Sequence, residues 1–281
     1  MEGILRIATR GSRLALAQYE IISKVLAERG IKCEPIITQS HGESDYRTPL
    51  YDMKEQGIFV KRLNDMILSG AVDAAVHSAK DIPSEIDQDL NISFYSRRGD
   101  PRDFFVSRGG MDNFSGTVGS SSIRRKMFLS LYNRNLKFIN IRGNVETRIG
   151  KWERGEADSI VIAKTAIDRL GLNPPGQIIP EEICPPDPNQ GFIAVVTRKG
   201  SSAHEIFRAA QEEEPLWEAS LERELMTKLN LGCNVAASIR AIFHDKVVRF
   251  SYANEENRFD LSFKGEPAEA ELNKLRDIIG K

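Results

Sequence analysis

Apolar residues in this chain come in short, strand-length bursts that alternate with longer stretches in which they recur every third or fourth position. ILRIAT (4 to 9) is the first burst, and Ser12 then caps a helix whose apolar stripe includes Leu14, Ala17, Ile21 and Val25 before Gly30 ends it. CEPIIT (33 to 38) reads as the next strand. The polar stretch from Gln39 to Gln56 is too long for a routine connection and is a candidate lid or binding loop. GIFVKRLNDMILSG (57 to 70) is an amphipathic helix that leads into a strand at 73 to 77. Strand and helix alternating in this way predict a parallel or mixed sheet.

The charged segment SRRGDPRD (96 to 103) reads as a crossover between domains, and a second alternating unit follows it. That unit runs through FFVS, the turn GTVGSSSIRR, a helix to about Tyr132, the strand LKFINI, a helix from Asn144 and the strand SIVIA (159 to 163). NPPG (173 to 176) and CPPDPNQG (184 to 191) are the strongest breakers. GFIAVVTR (191 to 198) is again strand-like and can return the chain to the first domain. A helix from Glu214 to about Leu229, strands around 236 to 243, 246 to 252 and 258 to 263, and a last helix at 267 to 279 predict a small α+β unit.

Composition narrows the functional classes. With 281 residues, 41% hydrophobic and 28% charged, the chain is long enough for two or three domains with real cores. Lys and Arg (39) nearly cancel Asp and Glu (40), so no global field favours nucleic acid or an anionic membrane. MEGILRIATR has no signal-peptide pattern, and no apolar run reaches the roughly 18 residues of a membrane span. Three widely spaced cysteines, Cys33, Cys184 and Cys233, fit a reduced cytoplasm better than a disulfide framework. Without CxxC or HExxH, and with four scattered histidines, no metal site is expected.

The chemistry concentrates at turns after strands. In VHSAKDIPS (76 to 84) Pro83 forbids a continuing helix or central strand, so Lys80 and Asp81 sit on a turn at a strand's carboxyl end, where open α/β sheets bind ligands. TRGSR (9 to 13), GSSSIRR (119 to 125) and IRGNVETR (141 to 148) are three more such turns, each supplying arginine or serine at or beside a helix start. Together they imply a ligand with many negative groups. No phosphate-loop or dinucleotide motif is present, and carboxylates fit the arginine fork equally well. Asp81, an acid among these bases, is either a counter-ion or a stabiliser of a transient cation that also carries protons. Cys33 and Cys184 read as small buried hydrophobes. Cys233, at a glycine-preceded turn in LGCNVAAS, is presented instead, as a nucleophile or an attachment point.

IATRGSRLALAQ, VHSAKDIPS, VGSSSIRR with INIRGNVETRIGKW, and LGCNVAAS occur in an order that resembles the porphobilinogen deaminase (hydroxymethylbilane synthase) family over nearly the whole chain. The resemblance implies two periplasmic-binding-protein-like α/β lobes with mixed sheets plus a small C-terminal α+β domain. It implies a discontinuous first domain (1–97 with 190–210), a central lobe (98–189) and a cofactor-attachment domain (211–281). It implies a transferase that condenses four porphobilinogens, with loss of ammonia, onto a dipyrromethane held by a thioether at Cys233, and releases linear hydroxymethylbilane by hydrolysis. Asp81 then matches the catalytic aspartate, facing positive pyrrole nitrogens and azafulvenium-like intermediates. Cofactor-binding positions fall on Lys80, Ser121, Ser122, Arg124, Arg125 and Arg142, and substrate-binding positions on Arg10, Ser12, Arg142 and Arg148. The family also implies a cytoplasmic monomer. YDMKEQG, with Lys54 its only base, and PPDPNQGFIAVV, which keeps Gln190 and Gly191, depart from the family pattern. The alternative from another class is a two-lobed anion receptor or regulatory domain without chemistry.

Overall fold

The structure is a computed structural model in which residues 4–38, 56–228, 236–245, 247–264 and 277 are described. In chain order, β1 (Leu5–Arg10), α1 (Arg13–Ala27), β2 (Cys33–Thr38), α2 (Gln56–Leu68), β3 (Ala74–Ser78), a 3-10 turn (Ala79–Asp81) and β4 (Leu90–Tyr95) build most of a first lobe. A second lobe comprises β5 (Asp103–Val106), β6 (Thr117–Gly119), α3 (Ile123–Tyr132), β7 (Lys137–Ile139), α4 (Val145–Glu153), β8 (Ser159–Ala163), α5 (Lys164–Arg169) and β9 (Gly176–Ile178). β10 (Ile193–Arg198) and α6 (Ser202–Ala210) return to the first lobe. α7 (Glu213–Lys228), β11 (Ser238–His244), β12 (Val247–Ala253) and β13 (Arg258–Lys264) form the third unit.

The two lobes are wired alike. Strand order is β2-β1-β3-β10-β4 in the first sheet and β7-β6-β8-β5-β9 in the second. In each, the first three strands pair in parallel and the fourth, β10 or β5, pairs antiparallel with both its neighbours. Neighbouring residues such as Ile7 and Ala8, Ala74 and Ala75, and Val195 and Val196 are all fully buried. Both faces of the first sheet are therefore covered by helices, and small or β-branched residues suit such strands. The third sheet is an antiparallel meander, β11-β12-β13.

Helix starts follow local sequence. The side chains of Ser12, Ser122 and Asn144 accept hydrogen bonds from the N–H groups of Ala15, Arg125 and Thr147, and so cap α1, α3 and α4. Gly30, at φ +71°, ends α1 as expected. The face of α1 turned to its own sheet centres on Tyr19, Ile22 and Leu26, with Ile21 and Val25 of the expected stripe packed, half-buried, against the same core. Leu14, from the expected stripe, instead packs against the core of the second lobe.

Two chain crossings join the lobes side by side. Gly99 N–H donates to Gly191 O at 3.0 Å, and Ser96 N–H to Ile193 O at 2.9 Å. Gly191 has φ +102°, and a Cβ there would lie 2.6 Å from Gly99 O, so only glycine lets the two crossings approach this closely. The third unit locks onto them through buried Glu222 of α7. Its carboxylate accepts from Arg98 (2.6 Å), from the N–H of Asn189 (2.6 Å) and from the N–H of Ala241 (2.8 Å).

The strand β4, the helices α5 and α6, and the short β9 beside NPPG are elements that the apolar pattern did not announce. The expected loop at 39 to 55, the turn bearing Cys233 and most of the helix at 267 to 279 lie outside the described residues. Among the described residues no helix is long and apolar enough to cross a membrane, and no group of His, Cys, Asp or Glu could hold a metal ion.

Candidate active site

The carboxyl ends of the parallel strands of both lobes point at one cleft, together with the chain entering β10. Such crevices beyond strand ends are where open α/β sheets collect ligand groups. The cavity measures about 490 Å³, and its wall includes Arg10, Ser12, Lys80, Asp81, Ser121, Ser122, Arg125, Arg142 and Arg148. These nine positions come from four turns far apart in sequence. Topology brings them together: Arg10 ends β1, Lys80 and Asp81 follow β3, the serines follow β6, and Arg142 and Arg148 follow β7.

Asp81 reaches solvent through the cleft but is enclosed by protein on its other sides. Enclosure raises its proton affinity, while Lys80, Arg10 and Arg148 pull it down; enclosure prevails, and the pKa lies above the ordinary carboxylate value. Lys80 shows the mirror effect. Burial lowers its pKa against the opposing pull of Asp187, and its ammonium donates to Gln190 Oε1 at 3.0 Å. Gln190, fully buried, donates in turn to Pro101 O at 2.5 Å and Asp103 Oδ1 at 2.9 Å. One side chain thus ties the Lys80 turn of the first lobe to the buried charges of the second.

Those buried charges centre on Asp103, which has no solvent exposure. Its Oδ1 accepts from Arg125 Nη2 at 2.7 Å, and its Oδ2 from Arg125 Nε at 3.0 Å and Arg124 Nη2 at 2.8 Å. Burial alone would raise the Asp103 pKa, but the two guanidinium groups outweigh it and hold the carboxyl far below its usual range. Arg124 also donates to Asp187 at 2.7 Å, to Cys184 Sγ and to Pro185 O. Its fork is spent inside the protein, and it does not join the cavity wall. Arg125 is held by Asp103 and by Val161 O yet still lines the cleft.

Two other wall arginines carry buried nitrogen with nothing to bind. The Nε atoms of Arg10 and Arg148 are inaccessible and have no hydrogen-bond partner among the described residues. Arg10 lies over the Phe59 ring, 4.3 Å from its centroid, a cation–π contact that fixes its direction. Burial and the charge of Arg125 bring the Arg148 pKa down to about 10. Buried donors left unpaired are costly, so both sites favour an incoming acceptor. Ser122 Oγ is engaged as the cap of α3, and Ser121 Oγ donates to Ile141 O at 3.0 Å.

Several residues of the site and its surroundings were not assigned a role from the sequence. His77, buried and paired with Asn64 Oδ1 at 3.2 Å, has its pKa lowered to about 4 by burial and by Arg10. Arg169 of α5 reaches the crossing at Gly191 O, 2.6 Å away. Asp103, Asp187 and Gln190 fall within segments that read as crossovers and breakers. A proline-rich context marks a loop without saying which of its side chains turn inward. Cys233 lies outside the described residues.

Comparison with known proteins bears on what this cleft serves. Residues 5–205 match the family described as porphobilinogen deaminase, dipyromethane cofactor binding domain. A probable porphobilinogen deaminase of Thermoplasma volcanium is 42% identical over 84% of this chain and 80% of its own length. One from Pyrobaculum calidifontis is 36% identical over 97% of this chain and 99% of its own. The porphobilinogen deaminase of Rubrobacter xylanophilus is 37% identical over 86% and 81%. Solved structures align more loosely. The methionine-binding protein MetQ gives a TM-score of 0.42 at 13% identity over 78% of this chain and 94% of its own. YhfZ from Shigella flexneri gives 0.40 at 16% identity over 81% and 96%. On the extent and identity of the sequence matches, this chain belongs to the porphobilinogen deaminase family.

Proposed function

We propose that the protein is a transferase that joins four porphobilinogen molecules head to tail, expelling ammonia at each addition, and releases linear hydroxymethylbilane by hydrolysis. The observation that carries this reading is Asp81: a carboxyl of raised proton affinity, set in a cleft with Arg10 and Arg148. Each pyrrole unit of such a chain bears an acetate and a propionate. The orphaned Nε atoms of Arg10 and Arg148 are donors that such carboxylates would satisfy, so the wall fits a dipyrromethane and the units added to it. When bound, that group supplies a covalently anchored primer, and Cys233 is the residue to which we assign its thioether.

The roles of this chain's residues follow from their surroundings. Arg10, Ser12, Arg142 and Arg148 bind substrate carboxylates. Lys80, Ser121, Ser122, Arg125 and again Arg142 hold the cofactor. Arg124, itself held by Asp187, acts through Asp103, which also bonds the neighbouring Arg125 fork at the cleft. Asp81 faces the cationic carbon and pyrrole nitrogen that form as porphobilinogen loses ammonia. Its negative charge stabilises that cation, and its raised proton affinity lets an oxygen take up the proton released when the new bond restores the aromatic ring. The antiparallel crossings support treating 1–97 with 190–210 and 98–189 as separate lobes, and α7 with the third sheet supports a domain over 211–281. We place the enzyme in the cytoplasm as a monomer acting on porphobilinogen, without nucleic-acid or membrane partners.

Intact mass after gentle denaturation tests the reading. The purified protein should exceed its sequence mass by two linked pyrrole units, Cys233→Ala should not, and Cys33→Ala and Cys184→Ala should. A bare sequence mass, with no ammonia released from porphobilinogen, would favour the anion-receptor alternative.

A further inference from the structure

The 3-10 turn that presents Lys80 and Asp81 is gripped from outside the cleft. Arg223 of α7 donates from Nη2 to Pro83 O and, at 2.9 Å, to Ser84 O, and from Nη1 to Ile82 O at 3.4 Å. Those are the three carbonyls that directly follow Asp81. The stretch needs such a donor: Pro83 has no N–H, Ile82 N–H closes the turn onto Ala79 O, and no strand begins before Leu90. A planar guanidinium can serve three carbonyls at once, which an ammonium does with poorer geometry.

The grip is set by a helix that is itself held. Leu216, Ala219 and Arg223 lie on one face of α7, three and four residues apart. Leu216 and Ala219 pack in the same core as Ala79 and Ile82 of the turn. One residue before Arg223, Glu222 fixes the helix to both the lobe crossing and β11. α7 therefore ties the turn of the reacting carboxyl to the lobe crossing and to β11.

We propose that Arg223 is a positioning residue for the condensation: by clamping residues 82–84 it sets where the Asp81 carboxyl stands in the cleft. This inference rests on the assignment of Asp81 in the preceding section. A misplacement of about 1 Å in a reacting group costs up to roughly a hundredfold in rate. Arg223→Met preserves the apolar stem and removes every donor. With the purified holoprotein we expect it to keep the parent's circular dichroism and two-pyrrole mass. Its kcat for ammonia release should fall roughly tenfold to a hundredfold, with KM within about threefold. Added guanidinium ion should restore part of that kcat, because a diffusible planar donor can reoccupy the three carbonyls. Arg223→Lys, which retains a charge and some donors, should fall between the two and serves as the measured variant should the methionine protein not fold.

Asp81→Asn and the double variant Asp81→Asn/Arg223→Met separate this idea from the one beneath it. If Arg223 acts through Asp81, the double variant is no slower than Asp81→Asn alone. An inactive Asp81→Asn beside normal kcat in both Arg223 variants would overturn the positioning role while leaving the Asp81 assignment standing. Near-normal turnover in Asp81→Asn would overturn both. A loss of kcat that guanidinium does not restore, and that adds to the loss from Asp81→Asn, would make Arg223 structural only.

Discussion

Replacing Asp103 by Asn keeps the shape of a fully buried side chain and removes the only negative charge that Arg125 bonds among the described residues. In the parent, the two oxygens of Asp103 take three charged hydrogen bonds of 2.7 to 3.0 Å from Arg124 and Arg125, and one from Gln190 at 2.9 Å. The asparagine amide would present N–H where one oxygen accepted, so at least one guanidinium nitrogen must lose its acceptor. Arg124 retains Asp187, whereas Arg125 is left with Val161 O. Removing one partner of a buried ion pair costs roughly 3 to 5 kcal/mol, which is a large part of the roughly 5 to 15 kcal/mol that holds a typical domain together. We expect the second lobe to unfold on the order of 10 °C earlier, read by calorimetry at pH 7. The gap should narrow in acid. Because the Asp103 pKa is depressed by folding, its stabilisation is complete above the ordinary carboxylate value and drains away as pH falls below it. A melting shift under about 2 °C at pH 7, or a gap that does not change between pH 7 and 3, would refute the view that Asp103 is the anchor of the arginine pair.

Three further outcomes are expected. Asp81→Asn should fold and keep its cofactor but lose several decades of turnover, since an attraction of roughly 4 kcal/mol and proton transfer worth roughly 10² to 10⁴ both disappear; single-turnover ammonia release within about threefold of the parent would make Asp81 a bystander. His77 should make the protein acid-sensitive: folding lowers its pKa to about 4, so from about pH 6.5 downwards the unfolded chain binds a proton that the native one refuses, a loss of about 3 kcal/mol in all. Urea titrations at pH 7 and pH 5 should show His77→Gln losing less stability between them than the parent does. Arg148→Lys keeps the charge but loses the fork, so kcat/KM for porphobilinogen should drop by about tenfold or more, and an unchanged value would place Arg148 outside substrate binding.

Much of this was legible in local sequence, because the signals are local. Ser12, Ser122 and Asn144 cap helices through side chains that bond only a few residues ahead, and β3 gives way at Ser78 to a short 3-10 turn ahead of Pro83, at the carboxyl end that opens on the cleft. What stayed hidden depends on distant partners. The run SSIRR gives no hint that Arg124 is consumed by Asp103 and Asp187 while its neighbour Arg125 reaches the cavity. That division is decided by carboxylates 21 and 63 residues away. LNISFY escaped notice as a strand because its burial comes from β10, about a hundred residues later in the chain. The α1 stripe was only partly right for a related reason: Ile21 and Val25 flank the face that meets the helix's own sheet, while Leu14 is apolar to meet the other lobe, so one helix carries two faces that a single period blends.

The position of β10 also dictates an order of events during synthesis. β3 and β4 are not neighbours; the strand between them is β10, and among the described residues β4 has no other partner in its sheet. The five strands of the second lobe, by contrast, all fall between Asp103 and Ile178. A chain growing from its amino end has made β1 to β4 long before the strand that joins β3 to β4, so the lobe synthesised first is the one completed second. Until Ile193–Arg198 leaves the ribosome, β3 offers an unpaired edge of buried-type residues, the kind of edge that recruits other chains. Nascent chains cut short before residue 193 will therefore carry a closed central lobe beside an open amino-terminal sheet, and will depend on chaperones in a way that the finished protein does not.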